Sequence, residues 1–329
     1  MPYEIHRSTR TSRIGVPLTI LGTAVLGSLP WWADSSTLRL FVEFACMLAY
    51  AQMWNLLAGY AGLVSVGQQA YFGIGGYALF GLAETAHVPP FLCVPLSGLI
   101  AALIAVPTSR VVFRLHGGYF AIGTWVVAEV FRLAIANVSV VGGGSGTSLT
   151  VMGDIARSTR EWTTYWLALA LAAGSIALLY GLLRSRFGLA LFAIRDNERA
   201  AASQGVDIGS TKLRIYLVTA FGCGVAGALY FLMNLRISPD AAFGVNWTAY
   251  AIFIVVIGGI GSIEGPIVGA VIFFALRETL ADFGTGYLIV LGALAVVTML
   301  RFPQGLWGWL ADRFDLNVFP VRRRISKSD

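Results

Sequence analysis

Apolar residues run along this chain in stretches of about twenty, the length a helix needs to cross the hydrocarbon core of a bilayer. The stretches are Ile14 to Ala33, Leu38 to Ala58, Ala61 to Ala83, Pro90 to Phe113, Tyr119 to Val138, Trp162 to Leu183, Leu213 to Leu235, Trp247 to Ile260, Pro266 to Asp282 and Gly286 to Phe302. They predict an all-α, polytopic transmembrane helical bundle of about ten spans, the eighth of them short. The first run follows Arg7, Arg10 and Arg13, as in a secretory leader. It is long, however, and no small-x-small cleavage site follows Trp31 and Trp32, so it reads as an uncleaved span.

One polar stretch interrupts this pattern. Arg184 to Arg214 carries Arg184, Arg186, Arg195, Asp196, Glu198, Arg199, Asp207, Lys212 and Arg214, so water must reach it. Asp196 or Asn197 is placed to cap a short helix through Ala200, Ala201 and Ala202 that stops at Gly205, and Ser210 is placed to cap the helix entering the next span. Two short helices with a glycine joint would form a projecting platform: either a docking surface for a cytoplasmic partner or a solvated connection. Of the 23 Lys and Arg residues, 17 fall in this segment, in the connections on its side of the alternation, and in the tails. That bias puts both termini in the cytoplasm. The organisation is then a basic cytoplasmic tail (1–13), a transmembrane domain (14–303) with a cytoplasmic loop at 184–212 and an external loop at 139–160, and a second basic cytoplasmic tail (304–329). Arg322 to Lys327 reads as an anchor beside anionic lipid.

Glycine breaks the helical pattern in two places. Asn55 to Phe80 combines Gly59, Gly62, Gly67, Gly73, Gly75 and Gly76 with Asn55, Gln68 and Gln69 and carries no charge; Ile257 to Ala270 contains Gly258, Gly259, Gly261 and Glu264. Paired glycine-interrupted segments in the two halves of a membrane protein point to a translocation pathway, with close helix packing as the other reading. The external Ser139 to Arg160 has a flexible, uncharged core, VVGGGSGTSLTVMG, and is either a plain connection or a contact for an extracytoplasmic partner. Glu129 and Arg132, at i and i+3, are placed to neutralise each other near a span end, and Arg277 lies beside Glu278; both sets are structural pairs or pathway groups.

Composition narrows the chemistry. The chain is 57% hydrophobic and 12% charged, and its net charge of +6 orients spans rather than binding nucleic acid. Cys46, Cys93 and Cys223 lie in apolar runs and read as small core residues. His6, His87 and His116 are scattered without thiol or acidic neighbours at ligand spacing, so no metal or cofactor is expected. Neither Lys212 nor Lys327 follows glycine, so no GxxxxGK phosphate loop exists. Nor do the spans hold the carboxylates of a proton relay or a nucleophile constellation. The chain reads as a non-enzyme. If it moves a solute uphill, the free energy enters from another subunit.

Five segments in order carry a resemblance: NLLAGYAGLVSVGQQAYFGIGGYA (Asn55 to Ala78), GGYFAIGTWVVAEVFRL (Gly117 to Leu133), GGGSGTSL (Gly142 to Leu149), FGLALFAIRDNERAAASQGVD (Phe187 to Asp207) and GGIGSIEGPIVGA (Gly258 to Ala270). From about Leu38 to Leu306 the chain resembles permease subunits of bacterial branched-chain amino-acid importers of the ATP-binding-cassette class, LivM type within the LivH and LivM group. The resemblance implies an EAA-type cytoplasmic coupling loop at Arg195, Asp196, Glu198, Arg199, Ala200, Ala201 and Gly205. Here the chain departs from the motif: six residues before Gly205 stands Arg199, with Glu198 one earlier. The resemblance also implies ATPase subunits, a homologous LivH-type second permease, an extracytoplasmic solute-binding protein and a bacterial inner-membrane location. Importers of urea, short amides and other small solutes share the architecture. A stand-alone secondary transporter or channel is the reading outside the family.

Overall fold

Where side chains leave no water for the backbone, N–H and C=O groups must pair within their own segment, and helix is the form that achieves this. The computed structural model describes residues 3–6, 10–280, 284, 286–314, 318–319 and 324–327. Arg7, Arg322, Arg323 and the Asp282 end of the ninth apolar run lie outside them. The helices are α1 (Arg10–Gly27), α2 (Ser35–Asn55), α3 (Gln69–Glu84), α4 (Pro90–Val112), α5 (Gly118–Ala136), α6 (Arg157–Arg184), α7 (Arg186–Asp196), α8 (Glu198–Ser203), α9 (Ile208–Asn234), α10 (Pro239–Phe243), α11 (Asn246–Gly258), α12 (Glu264–Thr279), α13 (Tyr287–Arg301) and α14 (Gly305–Phe314). A π-helical turn, Leu56–Tyr60, extends α2. Among the described residues, 6 helices are long and apolar enough to cross a membrane: α2 with its π turn, α4, α5, α6, α9 and the α10–α11 pair. The pair α13–α14, bent by 41°, makes a seventh if it is one span.

The core lies where α9 packs against α3, α4 and α2. In α2 and α9, 78% of the apolar window is buried, against 17% in α5, so α5 is peripheral. Small residues let the backbones close up: a Cβ at Gly75 would overlap the Gly224 carbonyl, and one at Gly227 the Phe72 carbonyl. Without a hydrophobic force between helices in lipid, this close packing is what joins them. Large apolar side chains remain exposed on the outer helices, among them Leu103 on α4, Val130 on α5 and Leu300 on α13, as hydrocarbon contact requires. At one end Trp31 meets Trp162 and Trp166 edge-on, each at 6.0 Å, in the amphipathic position such rings take at a membrane interface.

The two ends of the bundle are stitched differently. At the first, strands β2 (Thr147–Ser148) and β3 (Arg236–Ile237) pair antiparallel, and Glu84 accepts hydrogen bonds from the backbone of Thr150 and Val151. Asp34 caps α2 there, and hydrogen bonds from Ser36 and Thr37 hold its carboxyl well below the usual carboxylate range. At the second end lie the 185–207 segment, the 259–263 turn and the paired tails, β1 (Tyr3–His6) with β4 (Arg324–Lys327).

Several expectations are corrected. The third apolar run is not helical from Ala61: Gly62 has φ +70° and helix begins only at Gln69. The eighth run, short as expected, forms the single helix α11, and the five-residue α10 precedes it across Gly244. The 139–160 segment is not a loose connection, since Leu149 and Met152 are buried and the β2–β3 pairing pins it. Arg277 pairs not with Glu278 but with Glu43 on α2, at 2.5 Å, because neighbours in a helix point about 100° apart. The described part of the basic tail, Arg324 to Lys327, pairs with the N-terminal strand. The three cysteines are buried and free, as expected.

Candidate functional site

The polar elbow at 185–207 is built by a succession of caps. Ser185 accepts from the Phe187 N–H to start α7; Asn197 sits extended between α7 and α8 and its side chain accepts from the Ala200 N–H at 3.0 Å. Of the two residues expected as caps there, Asn197 serves and Asp196 ends α7. Asn197 joins α7 to α8, while the expected glycine joint, Gly205, lies between α8 and α9, and the second helix is not short but the 27-residue α9. Gly205 follows α8 with φ +84°, a left-handed turn that a side chain would strain. The next cap is Asp207, whose carboxylate accepts from the Ser210 N–H at 3.0 Å, so Ser210 is a first-turn residue and not the cap.

This leaves α8 with one anchored face and one free face. Ala201 is buried, while Asp196, Glu198, Arg199, Ala200 and Gly205 are exposed. Glu198 is paired with Lys212 of α9 at 2.5 Å, which fixes the tilt of α8 against the long helix. Arg195 turns the other way. Its guanidinium donates to the Gly59 carbonyl at 2.9 Å, lies 5.5 Å from the Phe192 ring and reaches Asp196 at 3.3 Å. Arg195 thus bolts the elbow to the π turn of α2.

The same turn is tied to the second glycine segment. Asn55 donates to the Ser262 carbonyl at 2.8 Å and accepts from the Gly261 N–H at 2.9 Å, and Gln52 donates to the Ile263 carbonyl at 2.7 Å. Gly258 ends α11 against Gly265, and Gly259 (φ +134°) and Gly261 (φ +76°) make the reversal. Glu264 opens α12 and accepts from the Phe319 N–H at 2.8 Å. Elbow, π turn and glycine reversal form one hydrogen-bonded hub, with a π-helical segment of the kind that recurs at functional sites. Sequence reasoning found Asn55, Arg195 and the glycines separately; it missed Gln52 and the link through the Gly59 carbonyl, which the extra residue in a helical turn exposes but no local motif signals.

The first break lies deeper. Residues 62–68 are irregular, held by Trp54 donating to the Ser65 carbonyl at 2.8 Å and by the Val66 N–H donating to Thr124 at 3.1 Å. At the start of α3, the side-chain oxygen of Gln69 accepts from Thr248, which also shares a hydrogen bond with Tyr50 at 3.0 Å; the side-chain oxygen of Gln68 faces the Cys223 thiol at 3.6 Å. The amide nitrogens of Gln68 and Gln69 are buried without a hydrogen-bond partner. Gly73, Gly75 and Gly76 are not at the break. They lie inside α3, where added Cβ atoms would meet Phe243, Gly224 and Phe231 respectively. Glu129 and Arg132 do pair, and Arg132 also binds Asp240 at 2.6 Å; this cluster is partly exposed near the β2–β3 end, away from the hub.

The family whose description reads branched-chain amino acid transport system, permease component, matches residues 36–299. The chain belongs to this family. Its permease relatives include the LivM high-affinity branched-chain amino acid transport system permease protein of Salmonella typhimurium, 32% identical over 278 residues, which make 77% of this chain and 65% of the relative. The corresponding Escherichia coli protein is 31% identical over the same shares. The chain thus spans just under two thirds of these relatives' length. It is also similar to the xylose transport system permease protein XylH of Escherichia coli, 25% identical over 303 residues, 86% of this chain and 70% of that one. No solved structure matches it. The matched span of the permease family runs from α2 into α13, and so contains the elbow, the hub and both breaks while leaving out α1 and α14. The LivM-type resemblance drawn from the five motifs stands.

Proposed function

We propose that this chain is the membrane-spanning subunit of an ATP-driven importer for branched-chain or similar hydrophobic amino acids. The carrying observation is the continuous hub, in which Arg195, the Gly59 carbonyl, Asn55 and the Ser262 carbonyl join an exposed short helix to two broken segments of the bundle. ATPase subunits dock on the exposed face of α8 around Glu198, Arg199 and Ala200, and their closure moves the elbow. The hub passes that movement to the π turn and the glycine reversal, giving alternating access. We count ten crossings by adding α1, α3 with its irregular lead and α12 to the seven, and read both tails, which β1 and β4 bring together, as cytoplasmic with the elbow. The pinned 139–160 segment then faces outward, toward a solute-binding protein. A homologous LivH-type permease completes the pathway in a bacterial inner membrane. Gln68, Gln69 and the hub residues line or gate it.

Replacing Glu198 to Gly205 by a Gly/Ser linker tests the reading: insertion is expected to persist and ATP-dependent uptake into vesicles to vanish. Normal uptake by that variant overturns it. A second reading keeps the machine and changes the cargo to another small solute, which the likeness to a xylose permease favours. Uptake competition among leucine, urea, short amides and xylose separates the two.

A further inference from the structure

Between α2, α9, the α10–α11 junction and α12, in the half of the bundle nearer the β2–β3 end, lies a cavity of about 320 Å³. That is the low end of the range of about 300–1,000 Å³ typical of small-molecule sites. Its lining is unusual for a bilayer setting. Glu43, Asp240 and Arg277 bring two carboxylates and one guanidinium to a single space, walled by Tyr230, Trp247 and Tyr250. Charges within a bundle are costly, and where they occur they mark pathways more often than packing.

The wall is rigid. Trp247 lies 4.4 Å from the Phe72 ring and 4.7 Å from Tyr230, its ring N–H donates to the Ala241 carbonyl at 2.7 Å, and Tyr250 rests on Phe273 at 5.2 Å. The charges are adjustable. Glu43 and Arg277 meet at 2.5 Å across the α2–α12 seam with the guanidinium partly exposed, and Asp240 is mostly exposed and carried on a short helix, held from outside by Arg132. One residue along α11 from Trp247, Thr248 binds Gln69 at the start of α3, beside the two unpartnered amide nitrogens.

We propose that this cavity is a transient subsite for a zwitterionic amino acid with an apolar side chain on its way through the permease; the inference rests on the importer reading above. The α-carboxylate takes Arg277 in the two-pronged geometry that a guanidinium offers. The α-ammonium takes Glu43 and Asp240, over the faces of Trp247 and Tyr230. The side chain lies against Met47 and Tyr250. A ligand carrying both charges splits the Glu43–Arg277 pair and replaces each partner at once, so that no charge is left buried alone. A carboxylate alone takes Arg277 and strands Glu43, whose side chain is mostly buried; an amine alone takes Glu43 and gives up its pairing with the partly exposed Arg277, at a smaller cost. The subsite therefore selects for zwitterions at modest affinity, as a station on a route should.

The test uses the full chain in lipid nanodiscs with three probes: L-leucine, 4-methylpentanoate, which lacks the ammonium, and 3-methylbutylamine, which lacks the carboxylate. Titration by ligand-observed NMR is expected to show leucine binding, with each single-charge probe weaker by about tenfold or more. E43Q/R277Q keeps a hydrogen-bonding pair without charge and is expected to weaken leucine binding about tenfold or more. D240N changes a mostly exposed side chain, so it should fold normally, weaken leucine and the amine severalfold and leave the carboxylate probe unchanged. Equal binding of all three probes, absence of leucine binding to the parent chain, or unaltered binding by both variants overturns the subsite. In the assembled transporter, ATP-driven leucine uptake at the parental rate by E43Q/R277Q would remove the subsite and leave the importer intact. Absence of amino-acid uptake by the parent transporter would instead remove the importer reading.

Discussion

The hub at the elbow's end and the break at the start of α3 are both interruptions of helix inside an apolar bundle, yet their polar groups are treated in opposite ways. In the hub each freed backbone group finds a partner: the Gly59 carbonyl takes Arg195, the Ser262 carbonyl and Gly261 N–H take Asn55, and the Ile263 carbonyl takes Gln52, whose own side-chain oxygen is left without one. At the α3 break the side-chain oxygens of Gln68 and Gln69 are engaged, while their nitrogens point into protein with nothing to bind. A polar group that is paired in low dielectric is held rigidly, and one left unpaired is costly and poised to change. Under the proposed function, the hub, with its backbone groups paired, transmits displacement and the break yields to it.

The largest effect should come from the joint that serves both broken segments. Asn55→Leu strands the Gly261 N–H and the Ser262 carbonyl together. At about 1–3 kcal/mol for each group left unpaired the sum is about 2–6 kcal/mol, and because Gly261 and Ser262 are only half-buried the reversal should loosen by the lower end of that range. Hydrogen exchange at residues 259–263 should accelerate accordingly, and ATP hydrolysis by the assembled transporter should persist while uptake collapses. Protection and uptake at parental levels would show that the hub carries no force.

Arg195→Ala removes the charge-assisted hydrogen bond to the Gly59 carbonyl, worth about 1.5–3 kcal/mol, with the weaker contacts to Asp196 and Phe192, from a partly exposed site where screening discounts it further. Thermal stability of the whole chain should barely move. Uptake should fall severalfold, and Arg195→Lys should restore part of it, since an ammonium can reach the Gly59 carbonyl but lacks the planar fork. Equal loss in both variants would mean that Arg195 acts through the ATPase surface and not through the π turn.

How much of this contrast could be read from the chain follows from where its signals reside. The elbow was legible because its charges stand among apolar residues, and because Asn197 and Gly205 advertise a helix start and stop in local sequence. The α3 break was read in the right region, from Gly59, Gly62, Gly67, Gln68 and Gln69, but together with three glycines that lie beyond it. Gly73, Gly75 and Gly76 are dense and conspicuous, yet in a membrane helix glycine serves close approach as readily as it serves a turn, and here they admit Phe243, the α9 backbone and Phe231. The true interruption is marked only by Gly62, at φ +70°, and by the irregular residues up to Gln68. Glu43 was passed over as the partner of Arg277 because it is 234 positions away, whereas Glu278 is adjacent. Sequence proximity mistakes the neighbour along a helix for the neighbour across a seam.

The smallest effect, and the one that most sharpens the contrast, is expected at Gln68. Its oxygen has only the Cys223 thiol at 3.6 Å, a weak donor, and its nitrogen has no partner. In the resting arrangement the side chain therefore costs more in lost solvation than it recovers. Gln68→Met keeps the length and removes the unpaired amide, so it should leave the thermal midpoint unchanged or raise it by an amount corresponding to about 1 kcal/mol. If the amide is kept for a second arrangement of the break, in which it meets a partner or the passing solute, the same variant should slow uptake despite its stability. A stabilised chain that transports less locates the cost of Gln68 in the transport cycle. A destabilised chain would mean that the amide is already satisfied at rest, and the division between a transmitting hub and a yielding break would have to be redrawn.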